Sequence, residues 1–122
     1  MGDLAFAEGE PERAAREYRA VLADRWADRD PLGVSVSALG LAEVAAVSHA
    51  GARAARLLGA SEGLAMGIRD RAIPEPEPVR RTQHTRVEAA MRDALGEEEF
   101  ARLRAEGRQL ELEQVVRLAL AD

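Results

Sequence analysis

The sequence contains no cysteine and few aromatic residues, and both absences limit the classes of protein to consider. Without cysteine, disulfide bonds and thiolate metal sites are excluded. Only 3% of the 122 residues are aromatic, so the core must be built from Ala, Leu and Val, which suits closely packed helices better than sheets. No segment has the ~18 apolar residues of a membrane span, and the acidic N-terminus lacks the basic start of a signal peptide. We therefore expect a cytoplasmic protein.

The residue types that are abundant favour helix throughout the chain. Ala, Leu, Arg and Glu, which are strong helix formers, are in large excess. A chain of this length is expected to form one domain, and we predict an all-α fold. Because 22 acidic side chains outnumber 17 basic ones, the net charge of -5 argues against a nucleic-acid partner.

One short motif occurs twice. The tetrapeptide Arg-Ala-Ala-Arg at residues 13–16 recurs at 53–56, and each copy lies in a segment with helical periodicity. A repeating unit of about 40 residues, rich in Ala, resembles the helical-hairpin arrays of tetratricopeptide repeats. We therefore predict tetratricopeptide-like hairpins, a short α-solenoid, over residues 1–72.

Proline and glycine divide the chain into helices. In the first part of the chain, predicted helices cover residues 2–8, 11–28, a segment from the 30–33 connection to about 50, and 52–70. In the second part, one helix ends at Gly96, the next runs from Glu97 until Gly107 stops it, and the last covers 111–121. The helix from the 30–33 connection to about residue 50 is apolar over most of its circumference and should be the most buried. Alternating prolines make 73–78 a stiff linker, with 79–122 as a C-terminal helical cap packing on the hairpins in one structural domain.

Residues suited to catalysis or metal binding are few. His49 falls at a predicted turn and His84 lies among arginines, and neither has the spacing of a zinc site. Three adjacent glutamates, Glu97–Glu99, cannot all face one ion on a helix, so we interpret them as a solvated helix start. The sequence predicts no catalytic residue, no metal site and no cofactor.

Three glycines and the single tryptophan leave alternatives open. Gly59, Gly63 and Gly67 share one helix face. Either a partner approaches closely there, or two helices of the same domain cross or the helix ends early near Gly67; the interpretations without a partner are favoured. Trp26 either closes the end of a hairpin as a core or rim residue or, if exposed, marks a binding hot spot.

Motifs along the chain carry a resemblance to a known class of domain. Residues 8–18 look like the middle of a tetratricopeptide repeat, and a second copy combines 39–42 with 53–60. The C-terminal half reads Leu-Gly-Glu-Glu-Glu-Phe at 95–100 and Glu-Gly-Arg-Gln-Leu at 106–110, followed by an acidic and apolar helix at 113–120. This order resembles the C-terminal tails of bacterial signal-transduction ATPases and of LuxR-type or SARP-type transcription regulators. The resemblance implies an α-solenoid that binds or senses a partner, with ATPase and DNA-binding functions in other domains.

The sequence thus predicts a non-catalytic protein-interaction module. The alternative is a small-ligand sensor with an apolar pocket between the hairpins and the C-terminal helices. The partner is a protein or the neighbouring domains of a larger regulator, and neither nucleic acid nor membrane is bound directly. An uncapped first repeat would expose apolar surface, so the chain is either a fragment of a longer regulator or a homodimer. The candidate partner-binding residues are Arg13, Arg16, Arg53 and Arg56 on the hairpins and Leu4 and Phe6 at the N-terminal edge.

Overall fold

A computed structural model describes residues 10–69 and 78–121, and within these two ranges the fold is all-α, without strands. The six helices are α1 (Glu10–Ala27), α2 (Pro31–Val47), α3 (Gly51–Arg69), α4 (Pro78–Leu95), α5 (Glu97–Arg108) and α6 (Leu112–Leu120). No described helix is both long and apolar enough to cross a membrane. The predicted helix 2–8, residues Leu4 and Phe6, and residues 73–77 of the proline segment lie outside the described ranges.

Helices α2 and α3 form the centre of the packing. Helix α1 packs on α2, α5 packs on α3, and α4 lies across both α2 and α3. The short α6 returns to contact α1, α2 and α3. The helix predicted from the 30–33 connection to about residue 50 corresponds to α2. The prediction that it is the most deeply buried is confirmed, because α2 contributes an almost continuous buried segment from Val34 to Ala45.

The α1–α2 hairpin is antiparallel, and its two helices are in contact at Gly33 and Gly40 of α2. Asp30 caps α2, with its carboxylate accepting a hydrogen bond from the Gly33 backbone at 3.1 Å, and Pro31 occupies the first turn. Further along, the ring of Tyr18 fills the space that Gly40 leaves, since a Cβ on Gly40 would lie 2.2 Å from the ring. Glycine at residue 40 therefore lets an aromatic side chain of α1 lie against the backbone of α2.

The α2–α3 hairpin turns through residues 48–50. His49 takes a φ of 62°, the left-handed region that favours glycine, and its side chain is exposed. Inside the hairpin the hydroxyl of Ser35 donates to the carbonyl of Ser61, and the hydroxyl of Ser61 donates to the carbonyl of Ser35, both at 2.8 Å. Two polar side chains are thus buried at the crossing with their hydrogen-bonding groups paired.

Helices α3 and α5 approach each other through glycine. A Cβ on Gly59 would lie 2.0 Å from the carbonyl oxygen of Arg104, and one on Gly107 would lie 2.1 Å from the carbonyl oxygen of Arg56. The favoured interpretation, a helix crossing within the domain, therefore holds for Gly59 and also for Gly63, whereas Gly67 has no neighbouring atom within 4 Å. Gly107 does not stop α5 as predicted; it is buried inside the helix, which ends at Arg108.

Apolar side chains near the end of α1 differ in their burial. Leu22 is fully buried and Trp26 packs partly buried against the core, with the Arg29 guanidinium 3.8 Å over its ring. Val21, the neighbour of Leu22 in the sequence, is 45% exposed.

Candidate functional site

Two acidic side chains with little exposure, Glu43 and Glu62, meet basic and polar partners beneath α4. This helix presents Gln83, Val87 and Met91 to the α2–α3 pair, all of them buried and spaced four residues apart on one face. His84 and Arg86 flank this face and reach acidic residues of the two helices below. The site therefore consists of two clusters, one centred on Glu43 of α2 and one on Glu62 of α3.

Glu43 carries the only charged side chain of α2 and is 6% exposed. Its carboxylate accepts a hydrogen bond from the Gln83 amide at 2.8 Å and forms an ion pair with Arg86 at 3.2 Å. The same Gln83 nitrogen lies 3.4 Å from the Tyr18 hydroxyl. This first cluster joins α1, α2 and α4 through one acidic residue.

Glu62 is surrounded by three basic side chains from two helices. Arg104 and Arg108 of α5 donate to its carboxylate at 2.7 and 2.9 Å, and His84 of α4 pairs with the second oxygen. Arg104 also forms an ion pair with Glu88 of α4 at 3.0 Å. The second cluster therefore joins α3, α4 and α5.

The two carboxylates have pKa values that shift in opposite directions. Burial acts to raise the pKa of Glu62, but the hydrogen bonds from His84, Arg104 and Arg108 outweigh it and hold the pKa at about 2. Burial raises the pKa of Glu43, and the single hydrogen bond from Gln83 acts against that rise. Glu62 is consequently ionised throughout the physiological pH range and cannot supply a proton there.

Burial likewise raises the pKa of Tyr18, with Glu43 adding to the effect and the hydrogen bond from Gln83 opposing it. Its hydroxyl is therefore protonated at neutral pH and available as a hydrogen-bond donor. The two clusters together hold five helices, α1 to α5, to one another through paired polar groups.

The structure separates the four arginines that the sequence proposed as one binding surface. Arg53 donates to the carbonyl oxygens of Leu118 and Ala119 at 2.9 and 3.0 Å, in the last turn of α6. Arg56 forms an ion pair with Glu106 of α5 at 3.0 Å. The other two arginines lie on α1: Arg13 pairs with Glu17 at 3.8 Å on the exposed side of the helix, and Arg16 is exposed.

The acidic start of α5 lines an open depression beside the α4–α5 turn. The depression has a volume of about 600 Å³ and is lined by Leu95, Gly96, Glu97, Glu98, Glu99 and Arg102. Glu97 pairs with Arg92 at 2.9 Å, and the hydrogen bond from Arg102 lowers the pKa of Glu99. Within the described residues no group of three His, Cys, Asp or Glu side chains could hold a metal ion.

Sequence reasoning missed both acidic centres. One signal was present for Glu43, since a single charged residue within an apolar helix indicates a buried partner. Glu62 lacks such a signal, because its basic partners lie 22 to 46 residues away in the sequence. Comparison with protein-family models, with curated proteins and with solved structures found no match for this chain.

Proposed function

We propose that this chain is a non-catalytic protein-interaction module, built of tetratricopeptide-like hairpins and resembling the C-terminal tail of a bacterial transcription or signalling regulator. It binds a protein partner, or a neighbouring domain of the regulator, through the outer face of the hairpins. The chemistry of the pathway resides in that partner or domain.

One contact carries the proposal. Tyr18 belongs to the first motif that resembles a repeat and Gly40 to the second, and the Tyr18 ring occupies the space beside Gly40. The two motifs thus meet as successive packed helices, which is how neighbouring repeats bury their apolar faces in helical-hairpin arrays. This contact supports the assignment of α1, α2 and α3 to one and a half repeats.

The packing of the C-terminal helices favours interaction over small-ligand sensing. A sensor would need an apolar pocket between the hairpins and these helices. At that interface, backbone atoms of α3 and α5 meet around Gly59 and Gly107, and α4 fills the α2–α3 surface with Val87 and Met91. This packing supports binding on the exterior.

Of the four arginines, those on α1 are assigned to partner binding. Arg53 and Arg56 are engaged with α6 and α5, whereas Arg16 and the Arg13–Glu17 pair lie on the exposed side of α1. An arginine on an exposed helix side can form bidentate contacts with carboxylates of a partner. The expected partner surface is acidic.

Site-specific photo-crosslinking in the native host tests this function. A photoreactive residue replaces Arg16 on α1 or, as the control, Arg81, which is exposed on α4. The proposal requires one protein that crosslinks at residue 16 and not at residue 81. The purified partner must then bind the chain, with Arg16→Glu weakening binding at least ~10-fold and Arg81→Glu leaving it within ~2-fold, since ~10-fold is the loss of one charge-assisted contact.

Two results would contradict the proposal. Equal crosslinking at residues 16 and 81 would mean that α1 has no specific partner. A small molecule that co-purifies with the chain, seen by native mass spectrometry, would favour the sensor instead.

A further inference from the structure

Helix α4 is attached to the rest of the fold by few apolar side chains. Over residues 81–95, where its side chains are described, the buried ones are Gln83, Val87 and Met91, and the first of these is polar. Burial of apolar surface is the main favourable term in folding, so two buried apolar side chains hold a helix of this length weakly. These are the features of a segment that opens more easily than the core.

The rest of the attachment is polar, and its centre is Glu43 of α2. The carboxylate of Glu43 has two described partners, and both belong to α4: the Gln83 amide donates to it at 2.8 Å, and Arg86 pairs with it at 3.2 Å. The Glu43 side chain is only 7% exposed, and a carboxylate with so little exposure needs a hydrogen-bonding or charged partner. Any helix that covers the α2–α3 face must therefore bring a donor or a cation to residue 43.

Glu62 of α3 depends on α4 less than Glu43 does. Arg104 and Arg108 of α5 donate to its carboxylate at 2.7 and 2.9 Å, and His84 is its partner from α4. Without α4, this carboxylate keeps both of its arginine partners. The charge on the α2–α3 face that requires a new partner is therefore that of Glu43.

The junction between α4 and α5 allows these two helices to part. They are separated by Gly96, an exposed residue with a φ of 84°, and a Cβ there would meet no atom within 4 Å. Glycine adopts a wide range of backbone angles, so this residue can change conformation at little steric cost. The close contact at Gly59 and Gly107 is made by α3 and α5 alone. Among the described contacts, the ion pair between Arg104 and Glu88 at 3.0 Å must break when α4 leaves.

We propose that α4 is a helical ligand bound in cis, and that an amphipathic basic helix of another protein replaces it on the α2–α3 face. The replacing helix places an arginine against Glu43 and two apolar side chains where Val87 and Met91 lie. This pattern follows from α4 itself, in which Arg86 directly precedes Val87 and Met91 follows one turn later. The face beneath α4 is a second binding surface, and it does not use the exposed arginines of α1.

Hydrogen exchange of the full chain tests whether α4 opens. The amides of α4 should exchange at least ~10-fold faster than those of α2, because α4 opens without complete unfolding. Arg86→Ala/Val87→Ala should widen this difference by a further ~10-fold, since it removes one ionic and one apolar contact. The control Arg81→Ala/Thr82→Ala, at two exposed residues of the same helix, should leave the difference within ~2-fold.

Binding of a peptide in trans tests whether α4 can be replaced. The probe is a fluorescent peptide with blocked ends and the sequence of residues 78–95, added to the full chain and followed by fluorescence anisotropy. In the wild type, α4 in cis competes with the probe, so the apparent affinity is reduced by the fraction of chains in which the face is open. The Arg86→Ala/Val87→Ala chain should therefore bind the probe at least ~10-fold more tightly than the wild type, and the Arg81→Ala/Thr82→Ala chain should match the wild type within ~2-fold.

The charge of the ligand is tested with modified peptides on the Arg86→Ala/Val87→Ala chain. A peptide that carries Arg86→Glu should bind at least ~10-fold more weakly than the unmodified peptide, because its carboxylate would face that of Glu43. A peptide that carries Arg81→Glu has the same net charge and is the matched control. It should bind within ~2-fold of the unmodified peptide.

Several results would overturn the proposal. Equal protection of α4 and α2 in the wild type would mean that α4 opens only with the whole domain, and so would loss of helical circular dichroism across the chain in Arg86→Ala/Val87→Ala. No gain in peptide binding by that variant, or equal binding of the two modified peptides, would mean that the face does not take up a basic helix. Exchange of α4 that slows as the protein concentration rises would mean that a second copy of the chain supplies the helix.

Discussion

The backbone of Gly59 lies directly against the carbonyl oxygen of Arg104, where α3 and α5 pack against each other. A Cβ at residue 59 would lie 2.0 Å from that oxygen, closer than any real contact of this kind. The oxygen belongs to a helix backbone, which cannot turn aside as the end of a flexible side chain can. The close approach of α3 and α5 therefore depends on the absence of a side chain at residue 59.

Gly59→Ala should destabilise the protein by about 3 kcal/mol or more, since α3 and α5 must separate and lose packing around their crossing. Urea unfolding followed by far-ultraviolet circular dichroism gives the free energy of unfolding for the variant and the wild type. Helix propensity alone favours Ala over Gly by about 1 kcal/mol, so the sign of the change separates packing from propensity.

Gly67 on the same helix provides the matched control. A Cβ there would meet no atom within 4 Å. Gly67→Ala should therefore raise the free energy of unfolding by about 0.5–1 kcal/mol through helix propensity. If both variants were stabilised, the close contact of α3 and α5 at residue 59 would be wrong.

The sequence predicted the helices better than the contacts between them. Helical periodicity together with the residues that mark connections, such as Asp30 and Pro31, located α1, α2 and α3 to within a few residues. The role of Gly107 was missed because glycine both ends helices and lets helices approach closely, and local sequence does not distinguish the two. Which role Gly107 has is decided only by its tertiary contact with Arg56 of α3.

The paired hydroxyls of Ser35 and Ser61 should each contribute modestly to stability. Ser35→Ala removes one interhelical hydrogen bond and should lower the free energy of unfolding by about 1 kcal/mol, and Ser61→Ala should do the same. The double variant should lose less than the sum, because each hydroxyl is a neighbour of the other at 3.1 Å. A double-mutant cycle measures this coupling. Additive losses of the free energy of unfolding would contradict the predicted coupling. Ser48→Ala, at an exposed residue, is the control.

The partners of the buried charges are the part of the fold that local pattern cannot predict. Glu62 obtains its basic partners from α4 and α5, and nothing within α3 indicates which arginines will lie beside it. The four-residue spacing of Gln83, Val87 and Met91 is typical of one buried helix face, yet the helices that receive this face follow only from the tertiary packing.

Glu62 should make the protein sensitive to acid. Its pKa in the folded state is about 2, against an ordinary value of 4.5. Between pH ~4.5 and ~2 the unfolded chain gains a proton that the folded carboxylate does not, so stability is complete above this window and falls as the pH is lowered through it. Glu62→Gln should lose about 3 kcal/mol at pH 7, the equivalent of this pKa shift, and should show a flatter profile across the window.

Glu43→Gln serves as the contrasting variant because burial raises the pKa of Glu43. A folded carboxyl with a raised pKa takes up its proton before the unfolded chain does, so it adds stability as the pH falls through that raised value. Glu43→Gln lacks this gain and should lose stability more steeply than the wild type on acidification from neutral pH. Urea unfolding at a series of pH values measures both variants; profiles of the same slope would contradict the assigned directions.

Arg53 should fasten α6 to the rest of the fold. A helix of nine residues is too short to persist alone, so α6 depends on burial of Val115, Val116 and Ala119 and on the hydrogen bonds that Arg53 donates to its last turn. Arg53→Met keeps much of the aliphatic stem but removes the donors, and it should lower the free energy of unfolding by about 1.5–3 kcal/mol, the range for hydrogen bonds from a charged donor.

Hydrogen exchange locates the effect within the molecule. In Arg53→Met the amides of α6 should exchange faster by at least ~10-fold while those of α2 change only with global stability, because opening of α6 becomes easier than complete unfolding. Arg117→Met is the control, since the Arg117–Glu113 pair is 75% and 60% exposed and should contribute less than about 1 kcal/mol. If α6 and α2 lost protection equally in Arg53→Met, the helix would unfold only with the whole domain, and Arg53 would contribute to global stability without fastening α6 separately.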